Sequence, residues 1–505
     1  MHVETDALLE DALNTAENGR AASSKTALKP LSLLPLIALI FYDVAGGPFG
    51  IEDAVSSGGP LLAVLGFMVL PIVWSVPEAL ITAEMATTFP ENSGYVAWVT
   101  AAFGPFWGFQ AREGFWSWIS GVTDNAVYPV MLLTYLQEGI PVFKDGWPRL
   151  VFLVGLNLTL TYLNYRGLHV VGNAAIVMTG LTLAPFVIIT LLGLPHLKPA
   201  NLVKSDWSAV QWFPFFNVMF WNLNYWDSVS TLAGEVRNPG KTFPRALAGA
   251  VVLVVASYLL PLIVGLSYSA DAADWDLGYF AVVGDRVGGR WLGWAVVGAA
   301  MVSQVGQFEA EMSTDSYLLH GMAERGFLPA AFARKSRHGT PTLAIASSAL
   351  GVLAMARWAR LFACVGVFNF LEIVELLNVV YCMAMLLEFA AFIWLRIKYP
   401  SLRRPYRVPL PLWGCAAMLL PASALLLILL IGPIIQGKTS VILFTAGACV
   451  LGCTLYPLLQ TARSRGWMAF RGTSPREFRE ILYSMYSPVP EAPAATAPPT
   501  WLENE

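Results

Sequence analysis

The 505-residue sequence predicts an all-α integral membrane protein of twelve transmembrane helices, on three observations. Apolar residues make up 56% of the chain and charged residues only 13%, where soluble domains carry roughly 25% charged residues. The apolar residues gather into long blocks, and a helix crossing ~30 Å of hydrocarbon needs about 20 of them. Lysine and arginine sort to alternate connections between the blocks, as membrane orientation requires. A net charge of −3 with no concentrated basic face excludes a nucleic-acid binder.

Taken in order, residues 1–30 carry Glu4, Asp6, Glu10, Asp11 and Glu17 with no apolar core, so no cleavable leader is expected and the first span directs insertion. Spans are expected near 31–56, 61–88, 106–136, 149–164, 169–193, 210–234, 246–269, 291–321, 341–357, 366–396, 409–432 and 440–461. The run from Leu361 to Arg396 is too long for one upright helix, so its start is expected to be a separate or tilted piece. With the N-terminus inside, inner segments hold 21 Lys and Arg and outer segments 9, which puts both termini in the cytoplasm. Arg112, beside Glu113, is the one basic residue left within a span. The outer loop with Asp271, Asp274, Asp276 and Asp285 reads as a solvated acidic loop. The tail, residues 462–505, ends in a Pro- and Ala-rich stretch from Ser487 to Pro499 that cannot bury a core.

Motifs for other chemistries are coincidental. Gly432 to Thr439 reads GPIIQGKT, the letters of a phosphate-cradling loop, but it joins two apolar spans, whereas that loop works between a strand and a cytosolic helix. Asn157-Leu158-Thr159 matches a glycosylation signal inside a span. Five cysteines, Cys364, Cys382, Cys415, Cys449 and Cys453, form no C-x-x-C pair, and no H-E-x-x-H or G-x-S-x-G occurs. No enzyme activity, metal or cofactor is expected.

Two spans are interrupted in ways a purely structural helix would not be. In the first, Gly46, Gly47, Pro48 and Gly50 stand mid-span, where proline removes a backbone donor. In the sixth, Asn222, Asn224 and Asp227 fall in the middle of an apolar segment. Unwound backbone in a membrane is tolerated only where it lines a cavity or is buried in protein. Interrupted helices at matching positions of two halves mark the central site of a transporter. Ionisable residues within spans are functional candidates, and here they are almost all acidic: Glu52, Asp53, Glu78, Glu84, Asp124, Asp227, Glu309, Glu311, Asp315, Glu372, Glu375 and Glu388. A negative interior suits a cationic cargo. Tyr128 lies one helical turn from Asp124, and Trp221, Tyr225 and Trp226 surround Asp227 in sequence, so cation–π attraction is expected to help there.

These segments resemble a known family. The run DSVSTLAGEVRNPGKTFPRAL from Asp227, ERGFLPAAFARKSRHGTP from Glu324 and LRIKYPSLRRPYRVP from Leu395 are similar to signatures of the amino acid–polyamine–organocation (APC) superfamily. GGPFGIEDAV and WSVPEALITAEM resemble its plant polyamine uptake branch, also described as L-type amino acid transporter-like. The resemblance implies a LeuT-like 5+5 inverted repeat, with residues 31–193 as the first repeat, 210–396 as the second and 409–461 as two peripheral helices. It also implies alternating access with proton-coupled symport; the plasma membrane is the expected location ahead of an endomembrane. Asp227 then falls where relatives carry a gating and protonation carboxylate, Asp124 or Asn125 at a substrate-facing position, and Glu311 at another. Gly46, Gly47, Glu52, Asp124, Tyr128, Trp221, Tyr225, Trp226, Asp227 and Glu311 are the expected substrate contacts, with Asp227 coupling the proton and polyamines, paraquat among related dications, as cargo. Pro48 and Glu52 in the first break disfavour a substrate carboxylate. Two rival readings stand beside this one: a neutral amino acid exchanger of the same fold, with an accessory subunit or counter-substrate, and a sensor that binds without transporting.

Overall fold

The computed structural model describes residues 30–110, 115–143, 146–364 and 370–471. The Arg112–Glu113 pair, Lys144 and the Ser487–Pro499 tail lie outside the described residues, as do the side chains of Arg357, Arg360, Cys364 and Glu372.

The described residues form eighteen α-helices and no β-strand longer than an isolated bridge. In chain order these are α1 (Leu33–Val44), α2 (Glu52–Leu70), α3 (Val76–Thr88), α4 (Tyr95–Phe103), α5 (Pro105–Gln110), α6 (Phe115–Asn125), α7 (Val127–Gly139), α8 (Gly146–Arg166) and α9 (Leu168–Gly193). There follow α10 (Pro199–Leu202), α11 (Trp212–Trp221), α12 (Pro239–Tyr268), α13 (Tyr279–Gly288), α14 (Arg290–Glu324), α15 (Thr342–Cys364), α16 (Phe370–Lys398), α17 (Leu412–Ile435) and α18 (Thr439–Ser464). Six described segments are long and apolar enough to cross a membrane: Glu52–Thr88, Leu168–His196, Pro239–Tyr268, Ile373–Lys398, Leu412–Ile435 and Thr439–Ser464. This is an integral membrane architecture.

Both expected interruptions are present. α1 stops at Val44, and Gly46, Gly47 and Gly50 follow with φ of +63°, +104° and +87°, values glycine reaches without the Cβ penalty. α11 stops at Trp221, the chain continues through Tyr225 at φ +68°, and a 3₁₀ segment runs over Ser228–Glu235. A left-handed tyrosine is a strained outlier of the kind that clusters at functional sites.

Some boundaries differ from those read in the sequence. The first two expected spans merge at Glu52–Leu70, kinked at Gly59 (φ +77°) before Pro60, and a π-helical turn at Pro71–Ser75 leads into α3. The third is divided among α5, α6 and α7, and the start of the over-long run from Leu361 belongs to α15. The phosphate-loop look-alike is the end of α17 and a turn into α18. Arg396, taken from the sequence as a loop residue, lies inside α16 and is buried against Glu84.

Packing is centred on α14 and α16. α14 meets α1, α6, α7, α8, α9 and α15, and α16 meets α4, α6, α11, α17 and α18. α1 also packs on α9 and α12, where Tyr42 bonds Thr182 (3.0 Å) and Gly306 makes room for the Tyr42 ring. The start of α1 is tied to the end of the 3₁₀ segment by a parallel bridge, Leu31 N–H to Glu235 O (2.9 Å) and Arg237 N–H to Leu31 O (3.0 Å). The two interrupted segments therefore touch at their ends.

Candidate functional site

The interruptions also meet in the interior. Asn222, in the second break, donates from Nδ2 to the Gly50 carbonyl of the first (3.3 Å), and Tyr258 donates to the Asn222 carbonyl (2.9 Å). The Ser303 hydroxyl of α14 donates to the Gly46 carbonyl (2.5 Å). A Cβ at Gly46 would come within 2.4 Å of the Gln307 side chain, and one at Gly50 within 2.8 Å of Trp221. Carbonyls freed by unwinding are thus held by side chains of α12, α14 and the opposite break, as buried polar groups require.

Two small cavities adjoin at Tyr225. The first is lined by Asp43, Asp124, Tyr128, Trp221, Tyr225 and Gln307, among others. The second is walled by Trp116, Ser120, Tyr225, Glu311, Asp315 and Tyr381 with their neighbours. No Lys or Arg lines either among the described residues. Trp221 Nε1 lies 3.4 Å from Asp124 Oδ1, Tyr128 lines the same cavity as Asp124, and Ser120 bonds the Tyr225 hydroxyl (3.2 Å). Asp43 bonds Thr314, and Asp43, Asp124, Glu311 and Asp315 lie within electrostatic reach of one another.

A third cluster lies beside the cavities. The Tyr381 hydroxyl is 2.7 Å from Glu78 Oε1 and 2.7 Å from Asp227 Oδ1, and it accepts the Tyr225 N–H (2.8 Å). Asp227 N–H donates to the same Glu78 oxygen (3.3 Å). Asp227 is fully buried.

Of the residues singled out in the sequence, Asp124, Tyr128, Trp221, Tyr225 and Glu311 line the cavities. Gly46 and Gly47 shape the first break without lining either cavity, and Asp227 sits behind Tyr381. Trp226 lines neither cavity: it is fully buried and donates to the Leu223 carbonyl (2.8 Å). Glu52 also lies apart, with one oxygen accepting the Gly50 N–H (2.9 Å) and the other the Gly278 N–H (3.3 Å). Asp43, Gln307 and Tyr381 escaped the sequence reading, although an acid one turn before a Gly-Gly break was a usable signal for Asp43.

The family model for amino acid permeases matches residues 31–454. The chain belongs to this family. It is 52% identical over 464 residues to a probable polyamine transporter of Arabidopsis thaliana, covering 91% of this chain and 93% of the relative. It is 50% identical over 443 residues to the polyamine transporter PUT1 of Oryza sativa subsp. japonica, covering 88% and 80%. It is 48% identical over 451 residues to the polyamine transporter RMV1 of Arabidopsis thaliana, covering 88% and 89%. As a permease, the chain is a membrane transporter and not an enzyme. The APC resemblance in its signature segments is therefore a family membership that spans both helix breaks and both cavities.

Proposed function

We propose that this permease imports polyamines, such as putrescine, spermidine and spermine, with related dications such as paraquat. It does so by proton symport and alternating access in a twelve-span, LeuT-like 5+5 inverted repeat. The observation that carries the cargo is the pair of cavities walled by Asp43, Asp124, Glu311 and Asp315 with no basic residue among their described linings. Buried carboxylates without cationic partners are costly, and an ammonium ligand supplies the missing charge. Trp221, Tyr225 and Tyr128 add aromatic faces for cation–π attraction. The names of the relatives at about 50% identity support the same cargo.

Glu52 argues against an amino acid cargo. Its carboxylate already occupies the Gly50 amide at the start of α2, the helix end that would attract a substrate carboxylate.

Proton coupling draws support from a hydrogen count. A tyrosine hydroxyl owns one hydrogen, yet Tyr381 faces two carboxyl oxygens at 2.7 Å and already accepts a backbone N–H. It donates to one carboxyl, so the other must bring a proton of its own. Glu78 and Asp227 thus form a place where one proton is held in common, and Asp227 adjoins the break that contains Tyr225. The plasma membrane, with both termini cytoplasmic, is the proposed location.

Uptake of radiolabelled spermidine into proteoliposomes, with membrane potential and pH gradient set independently, tests this. The expected result is saturable uptake that putrescine and spermine suppress, leucine does not, and an inward proton gradient accelerates at zero potential. Competition by leucine would sink the cargo assignment. Indifference to the proton gradient would sink the coupling.

A further inference from the structure

The second cavity has an acid pair of its own. Glu311 and Asp315 are four residues apart on α14, hence on one helix face, and both line this cavity. Glu311 is 8% and Asp315 6% exposed, and Glu311 Oε2 and Asp315 Oδ2 have no hydrogen-bond partner in the protein. Gly121 of α6 packs so closely that a Cβ there would stand 2.1 Å from Asp315 Oδ1. The glycine keeps space open around that carboxylate. Ser117, Ser120, Thr314 and Ser228 put hydroxyl oxygens around the same space, acceptors for the N–H groups of an ammonium once the carboxylates have drawn it in.

The geometry points to a second ammonium site at Glu311 and Asp315, below a first at Asp43 and Asp124, with a bound chain passing Tyr225 between them. The proposal rests on the cationic cargo argued above and adds a length requirement to it. Gln307 lines the first cavity and Asp315 the second, and eight residues of α-helix rise about 12 Å. A short diamine engages one acid pair alone. A longer chain reaches both pairs, and its methylenes lie along the Tyr225 ring.

The test is binding of unbranched α,ω-diaminoalkanes, from propanediamine to dodecanediamine, to the purified full chain in lipid nanodiscs. Wild type is expected to gain affinity with length until both pairs are spanned. Asp315→Asn should remove that gain, weakening the long diamines by roughly tenfold or more, in line with loss of one partner of a buried charge pair, and the shortest by much less. Gly121→Ala, which crowds the same carboxylate while leaving every charge in place, should shift the length profile in the same direction. An equal loss at all lengths, or an unchanged profile in both variants, would overturn the second site and leave the cargo assignment standing. Absence of binding by wild type at every length would instead remove the cargo assignment, and this proposal with it.

Discussion

Glu84 and Asp315 are both buried carboxylates in the helical bundle, and they are treated in opposite ways. Around Glu84, Arg396 donates from Nε (3.0 Å) and pairs through Nη2, Arg404 Nε lies 3.0 Å away, and the Val408 N–H donates (2.8 Å). Arg396 and Arg404 in turn bond the carbonyls of Leu410, Tyr399 and Leu402, so the segment after α16 is folded onto α3 by one acid. Asp315 has a cavity where Glu84 has arginines. The acids of the membrane interior fall into two kinds. A carboxylate saturated by cations and amides is part of the scaffold, and one facing a cavity without a cation is available to a ligand. Glu375, paired with Lys438, falls on the scaffold side.

The comparison can be broken most severely at Glu84. Glu84→Gln leaves two buried guanidiniums without their counter-charge, and breaking a buried pair from one side costs about 3–5 kcal/mol. Thermal melting of the detergent-solubilised protein should fall sharply, with loss of a monodisperse peak in gel filtration. Unchanged melting would mean that Glu84 is not scaffold. Asp43→Asn should do the reverse. It removes a buried charge that has no cationic partner, so melting should hold or rise, while diamine affinity drops roughly thirtyfold or more through loss of one charged contact. Destabilisation by Asp43→Asn without loss of affinity would put Asp43 with Glu84. The smallest effect is expected at Lys335, whose partly exposed pair with Glu235 spans 2.5 Å. Lys335→Ala should change stability by ~0–1 kcal/mol, as exposed pairs do, and a larger change in melting would show that exposure is a poor guide here.

Much of this was legible in the sequence because it depends on local departures from an apolar background. Glycines and a proline inside the first span, and asparagines with an aspartate inside the sixth, mark both breaks without any knowledge of packing. Asp124 and Tyr128 share a helix face by spacing alone. What stayed hidden depends on pairings across the chain. Tyr381 sits in an apolar run 154 residues from Asp227, and nothing near it announces a bond to two carboxyls. Glu52 reads as a ligand because it is an acid beside a break, yet its two oxygens are taken by amides, one of them 226 residues away. Trp226 reads as a neighbour of Asp227, but the turn at Tyr225 points its indole back to Leu223. Arg396 lies at the edge of an apolar block, where composition assigns it to a loop and only tertiary structure shows it buried.

The bridge between Leu31 and Val236 joins the two interrupted segments through backbone alone. Moving the first helix away from the sixth at this end breaks two backbone hydrogen bonds, each worth about 1 kcal/mol net. An energy gap of a few kcal/mol corresponds to a minor state populated at about 0.1–10%. Because both bonds run through the single residue Leu31, they are lost together. The ends of the two interrupted segments are therefore tied together by the backbone at one residue, with no side chain of the cavities taking part.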